Sequence, residues 1–145
     1  MVTQNQPPRQ LLRSSVAVIA GIIVGAALSI GTDILMHVLG YLPSLGERAP
    51  DDSLAVATIY RTIYGVLGAY ITARLAPRRP MKHVMVLGTL GLIVSIAGAA
   101  ATWNKGPAFG PHWYPMALVV LALPTAWAGG RWREIQLMKR PRVIG

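Results

Sequence analysis

Apolar residues fill four long segments of the chain, and polar residues, glycine and proline are concentrated between them. The segments run over residues 12–39, 54–76, 83–103 and 113–130. Each is close to the ~20 residues that an α-helix needs to cross the hydrocarbon core of a bilayer. The pattern predicts an all-α membrane protein whose four transmembrane helices form an antiparallel up-down bundle.

The parts of the chain outside these segments are too short and polar to fold separately. Residues 1–10 predict a disordered tail, residues 11–131 the transmembrane domain and residues 132–145 a basic tail. Residues 131–140 alternate basic and apolar side chains, which predicts either a helix lying on the membrane surface or a frayed helix end. With 53% hydrophobic and 13% charged residues among 145, the composition excludes an ordinary water-soluble domain.

Positive charge follows the connections rather than a folded surface. The net charge is +9, and basic residues cluster before the first span, between the second and third, and after the fourth. The other two connections carry little positive charge, so the positive-inside rule predicts that both termini are cytoplasmic. This distribution argues against nucleic acid as a partner and favours membrane lipids, including anionic headgroups at the cytoplasmic face.

Cysteine is absent from the chain. Disulfide bonds, thiolate metal sites and cysteine nucleophiles are therefore excluded. The remaining candidates for chemistry are the few ionisable side chains within the apolar segments.

Asp33, His37 and Arg61 are the ionisable residues that lie well inside apolar segments. A charge at the centre of a membrane helix costs on the order of 2.5 to 3.5 kcal/mol, so such residues usually face a partner or a cavity. Asp33 lies near the C-terminal end of the first span and Arg61 near the N-terminal end of the second. At 1.5 Å per residue, both are about 10 Å from the predicted outer side of the bundle. The sequence predicts that they form an ion pair between the first two helices.

Small residues recur at every fourth position near these charges. Gly21, Gly25 and Ser29 lie on the ridge of the first span that leads to the acidic residue, and Gly65 and Ala69 follow the arginine in the second. Small residues let membrane helices approach closely. An antiparallel register matched at the charges predicts that Ser29 faces Gly65 and that Gly25 faces Ala69.

Other polar residues belong to the same half of the predicted bundle as the ion pair. They are Tyr60, Tyr64, Asn104 and His112. With Asp33, His37 and Arg61 they form a candidate ligand-binding cluster on the outer side. The cluster has no serine in register for a hydrolytic triad, and no metal site or cofactor is predicted. A haem or metal ion held by His37 and His112 is an alternative, because imidazole is a common ligand of both.

Two functions fit these features. The first is a non-enzymatic structural, accessory or partner-binding role, in which the ion pair fixes the helix register and the chain contacts a second copy or another membrane protein. The second is binding or transport of a solute or ligand in an outer-side pocket around Asp33, His37, Arg61 and Tyr64. A sealed ion pair would favour the first, and an open cavity lined by the cluster would favour the second.

Several stretches of the sequence carry a resemblance to other proteins. They are Tyr60-Arg61-Thr62-Ile63-Tyr64-Gly65, Ala73-Arg74-Leu75-Ala76-Pro77-Arg78-Arg79-Pro80, Trp103-Asn104 and His112-Trp113-Tyr114-Pro115. With these the chain resembles small, uncharacterised four-span proteins of the bacterial inner membrane. The resemblance implies a multi-pass protein of that membrane and brings no activity with it.

Overall fold

The computed structural model describes residues 8–44 and 46–140, which form four long helices. The helices are α1 (Pro8–Val38), α2 (Asp51–Leu75), α3 (Pro80–Thr102) and α4 (Trp113–Met138). A single turn of 3-10 helix, Pro107–Phe109, lies in the connection between α3 and α4. No strand is present in the described ranges. The described part of the chain is therefore all-helical, which confirms the fold class predicted from hydrophobicity.

Three of the four helices are long and apolar enough to cross a membrane. They are α1 from Arg9, α2 and α3, with mean hydropathy of 2.1, 1.4 and 2.2 over their most apolar windows. α4 has 26 residues but is not among them, since its first half contains two prolines, a tryptophan and a tyrosine. The helices lie where the apolar segments predict them, although α4 extends well beyond the predicted span.

The start of α1 and the end of α4 differ from the boundaries predicted from the sequence. α1 begins at Pro8, so part of the predicted tail is helical, whereas residues 1–7 lie outside the described part of the chain. α4 continues without a break through Met138, so residues 131–138 belong to the same helix as the predicted fourth span. Residues 141–145 of the predicted basic tail also lie outside the described part.

The connections between helices reverse the chain at residues with unusual backbone angles. Gly40 follows α1 with φ +76°, a left-handed conformation that glycine adopts without steric cost. Arg79 has φ 48° and precedes Pro80, the first residue of α3. This end of the bundle carries Arg74, Arg78 and Lys82 as well, and is called the basic end below. The opposite end, with the two longer connections, is called the loop end.

The helices are not arranged in chain order around the bundle. α1 packs on α2, and α4 packs along both α2 and α3, while α2 and α3 contact each other less extensively. Neighbours therefore follow the order α1, α2, α4, α3. The short turn between α2 and α3 predicts that these two helices are close neighbours, and α4 instead occupies much of the space between them. As a result α2 and α4, which run in the same direction, form a parallel pair.

The core of the bundle consists of small side chains. Ala69, Ala73, Val84 and Ala126 are buried together, with Leu87 packed against them. Large apolar side chains point outward instead, and Val94 and Val120 are 70% and 66% exposed. A water-soluble protein rarely exposes so many large apolar residues, whereas lipid-facing helices do. The distribution is that of a membrane protein.

Candidate functional site

Asp33 and Arg61 face each other between α1 and α2. The Nη2 of Arg61 lies 2.5 Å from Oδ2 of Asp33 and donates a hydrogen bond to it. The structure therefore brings together the two charges that the sequence places at matched depth. Both side chains are only half-buried, with 34% of Arg61 and 24% of Asp33 exposed.

Tyr60 completes the ligand set of the Asp33 carboxylate. It precedes Arg61 on α2, and its hydroxyl donates to Oδ1 of Asp33 while Arg61 donates to the other oxygen. Tyr60 is buried, and its ring lies 5.9 Å from that of Tyr64. Tyr64 in turn shares a 2.9 Å hydrogen bond with Thr32 of α1. Two consecutive turns of α2 are thus joined to α1 by polar side chains.

Both carboxylate oxygens of Asp33 accept hydrogen bonds, whereas most N–H donors of Arg61 are not paired in this way in the described part of the chain. A guanidinium group carries five N–H donors, and its charge favours acceptors for each. Within the described ranges Asp33 is the acceptor for Nη2, and the buried Nε has no hydrogen-bond partner. The Tyr114 ring of α4 lies 5.9 Å from Cζ of Arg61, close enough for a cation–π contact.

Arg61 also lines a cavity of about 350 Å³ between the helices, called the central cavity below. All four helices contribute to its lining, which is predominantly apolar. The lining residues include Gly21 and Gly25 of α1, Gly65 of α2, Gly91 and Ser95 of α3, and Thr125 of α4. A second, smaller cavity of about 220 Å³ reaches Tyr60 from the loop end. Arg61 therefore borders one cavity, and Tyr60, which bonds Asp33, borders the other.

The remaining members of the predicted cluster lie apart from the ion pair. His37 is exposed, and its Nδ1 donates to the backbone carbonyl of Asp33, one turn earlier on α1. His112 stacks on Trp103 at 4.2 Å and bonds its carbonyl oxygen. Asn104 is exposed beside His112 in a shallow depression of the loop end. Neither the central cavity nor the smaller one is lined by His37, Asn104 or His112.

The histidines are not gathered into a metal site. The described part of the chain contains no group of three or more His, Cys, Asp or Glu residues close enough to share a metal ion. His37 bonds a backbone carbonyl of its own helix α1, and His112, just before α4, bonds the carbonyl of Trp103 at the end of α3. Haem or metal at this pair stays an untested alternative.

The small residues make close contacts, but not all in the predicted register. A methyl group on Gly21 would lie 2.5 Å from the carbonyl oxygen of Gly68, so α1 and α2 approach closely there. Gly65 instead faces Thr125 of α4, at 2.6 Å from a built Cβ. Ala69 faces Gly129 of α4, since a Cβ built on Gly129 would lie 2.6 Å from the Cβ of Ala69. The predicted contacts of Gly65 with Ser29 and of Ala69 with Gly25 are therefore wrong.

Three residues of the site were missed because their role depends on packing. Tyr114 has the sequence context of an interfacial aromatic, and only the position of α4 brings it to Arg61. Gly68 and Thr72 make the closest contacts with Gly21. The sequence signal for this contact is the spacing of Gly68 and Thr72, because residues four apart in a helix lie on one face.

Comparison of the chain with protein-family models, with curated proteins and with solved structures finds no match. The resemblance to small four-span bacterial proteins stays a prediction.

Proposed function

We propose that the chain is a non-enzymatic, multi-pass protein of the bacterial inner membrane that binds a lipid-soluble carbonyl compound in the central cavity. In this proposal α4 is the fourth span and both termini are cytoplasmic, in accord with the positive-inside distribution of basic residues. The loop end is then outer, and the central cavity lies within the bilayer. A molecule already dissolved in lipid would reach it without crossing water.

The proposal rests on the hydrogen-bond donors of Arg61 that are unpaired among the described residues. Arg61 lines the central cavity, its side chain is 34% exposed, and its hydrogen-bond acceptor within the described ranges is Asp33. Exposure at this depth means exposure to hydrocarbon, where an unsatisfied N–H costs several kcal/mol. A bound acceptor would remove that cost.

The charge balance at the site indicates what kind of acceptor fits. Asp33 already neutralises Arg61, so a further anion would leave a net negative charge in the membrane interior. A neutral carbonyl oxygen, such as that of a quinone or an ester, supplies lone pairs without charge. The site therefore favours an uncharged carbonyl group over a carboxylate or phosphate.

The rest of the cavity suits the apolar body of such a molecule. Its volume of about 350 Å³ falls in the range of about 300 to 1,000 Å³ that is typical of small-molecule sites. Thr62, Ser95 and Thr125 are the hydroxyl-bearing neighbours, and glycine and leucine form most of the remaining wall. A few polar groups within an apolar wall are the usual composition of a ligand pocket.

A second candidate function is contact with another copy of the chain or with a partner membrane protein. Ala97, Gly98 and Ala101 are exposed on α3, and nothing lies within 4 Å of a methyl group built on Gly98. Small exposed residues are the usual contact surface between membrane helices. This accessory role does not need the central cavity.

Filling the cavity tests the first function against the second. Gly91 lines the cavity, and a Cβ built on it meets nothing within 4 Å, so Gly91→Leu adds bulk without a backbone clash. The full chain in mild detergent is titrated with a 1,4-benzoquinone carrying a decyl chain, and binding is followed by native mass spectrometry. We expect Gly91→Leu to bind about tenfold more weakly than the wild type.

Gly98→Leu is the matched control, because it makes the same change on the same helix away from the cavity. It should bind the quinone within about twofold of the wild type. Equal binding by all three proteins, or none by the wild type, would overturn the proposal. Loss of an oligomer in Gly98→Leu, together with absent quinone binding, would support the accessory role instead.

A further inference from the structure

The basic end of the bundle contains a second polar cluster, far from the ion pair and built by α2 and α4. Gly129 brings the two helices together, since a methyl group on it would lie 2.8 Å from the backbone nitrogen of Tyr70. One turn further along α4, the Trp132 ring lies 4.8 Å from that of Tyr70. The Tyr70 hydroxyl donates a 2.8 Å hydrogen bond to Oε1 of Gln136.

Two arginines converge on this cluster. Arg74 is one turn beyond Tyr70 on α2, and Arg133 follows Trp132 on α4. Arg133 donates to Oε1 of Gln136 at 3.4 Å, a long hydrogen bond to an oxygen that Tyr70 already occupies. Its Nε is buried and has no partner in the part of the chain that the structure describes.

Among residues 8–44 and 46–140, no carboxylate forms a salt bridge with either of these two arginines. The chain has five acidic residues, and Glu134 is the one on the last helix. Arg131 bonds its Oε2 at 3.1 Å, so Glu134 is engaged on the neighbouring position of α4. The other four precede Tyr60 in the sequence and lie in α1, in the connection after it or at the start of α2, all towards the loop end. Arg133 therefore shares the Gln136 amide oxygen with Tyr70, and within the described ranges neither Arg74 nor Arg133 forms a salt bridge with a carboxylate.

We infer that Tyr70, Arg74, Trp132 and Arg133 form a binding site for the phosphate headgroup of an anionic phospholipid. Guanidinium groups bind phosphate oxygens in a planar, two-pronged geometry. Trp132 is 46% exposed and amphipathic, which suits the boundary between headgroups and acyl chains. The apolar side chain of Ile135, three residues further along α4, is also exposed and offers a contact for an acyl chain. That apolar surface favours a lipid over free phosphate.

Lipid titrations of the full chain in mild detergent test the inference. Phosphatidylglycerol and phosphatidylcholine with identical acyl chains are compared by native mass spectrometry, for the wild type and for Arg74→Gln and Arg133→Gln. The wild type should prefer phosphatidylglycerol. Each variant should lose about fivefold of that preference, equivalent to about 1 kcal/mol for one basic residue near an anionic headgroup.

Arg78→Gln is the matched control, since it removes the same charge from an exposed position at the same end. Its preference should stay within about twofold of the wild type. Arg133→Lys keeps the charge without the planar group and should recover only part of the loss. An equal loss in Arg78→Gln would mean diffuse attraction and overturn the site. Displacement of phosphatidylglycerol by inorganic phosphate would overturn the assignment to a lipid.

Discussion

At the scale of single residues, the pairing of Asp33 with Arg61 explains how two charges lie within apolar helices. The pair removes the net charge, and Tyr60 satisfies the second carboxylate oxygen. Matched depth along two helices was enough to predict the pair, because it depends only on the rise per residue. The hydrogen bond of Tyr60 and the ring of Tyr114 over Arg61 could not be predicted, since they depend on rotamers and on the position of α4.

His37 shows the opposite outcome at the same scale. Its spacing from Asp33 allows a carboxylate to orient the imidazole, but the ring bonds the backbone carbonyl of Asp33 instead. The carboxylate is already occupied by Tyr60 and Arg61. Helical spacing brings two side chains near each other without deciding which partner each one takes.

Double-mutant analysis measures the ion pair. Removing one member of a buried pair costs about 3 to 5 kcal/mol, and we expect about 3 kcal/mol for Asp33→Asn or Arg61→Gln because both side chains are half-buried. The double variant should be no less stable than either single one, since neither charge is then left unpaired. Thermal unfolding in detergent, followed by circular dichroism, gives the three values. Strictly additive losses would show that the two residues do not interact.

At the scale of helices, the small-residue ridges account for which surfaces touch. Residues four apart rotate by about 40° per step around a helix of 3.6 residues per turn. A ridge that faces α1 at Arg61 has therefore turned towards α4 at Ala69, where it meets Gly129. Small residues pack closely between the helices, as the sequence predicts. Gly65 and Ala69 contact α4, however, and not α1 as the predicted register requires.

The glycines of α1 provide a test of this packing. A methyl group on Gly21 would collide with Gly68 and Thr72, whereas one on Gly25 would lie 3.5 Å from the Tyr64 carbonyl oxygen, an ordinary contact. Gly21→Ala should destabilise the protein by about 1 to 3 kcal/mol through overpacking. Gly25→Ala should be close to neutral, although both belong to the same GxxxG motif.

Gly31→Ala is the control for the change in helix propensity. Nothing lies within 4 Å of a methyl group at Gly31, and alanine favours the helix over glycine by up to about 1 kcal/mol. It should leave thermal unfolding unchanged or raise its midpoint. Equal destabilisation by all three alanine substitutions would refute the close approach of α1 and α2 at Gly21.

At the scale of the whole molecule, the order α1, α2, α4, α3 creates the central cavity. α1 packs mainly on α2 and only slightly on α3, which leaves space between the two sides of the bundle. Hydrophobicity predicted the helices, but the order around the bundle was not predictable from short connections alone. It depends on close approaches such as that of Gly88 to Ala126, where a built Cβ would lie 2.7 Å away. The candidate pocket predicted around Asp33, His37, Arg61 and Tyr64 includes Arg61 of this cavity, but the lining of the cavity by all four helices depends on packing.

The central claim is that Arg61, paired with Asp33, holds a lipid-soluble carbonyl compound in this cavity. The most direct test is native mass spectrometry of the protein released from its own membrane in mild detergent, with extraction and identification of bound small molecules. Wild-type protein should carry an apolar, carbonyl-containing molecule, and the Asp33→Asn, Arg61→Gln double variant should lose it while it remains folded. A wild-type protein free of any such molecule, or a double variant that retains it in equal amount, would contradict the account.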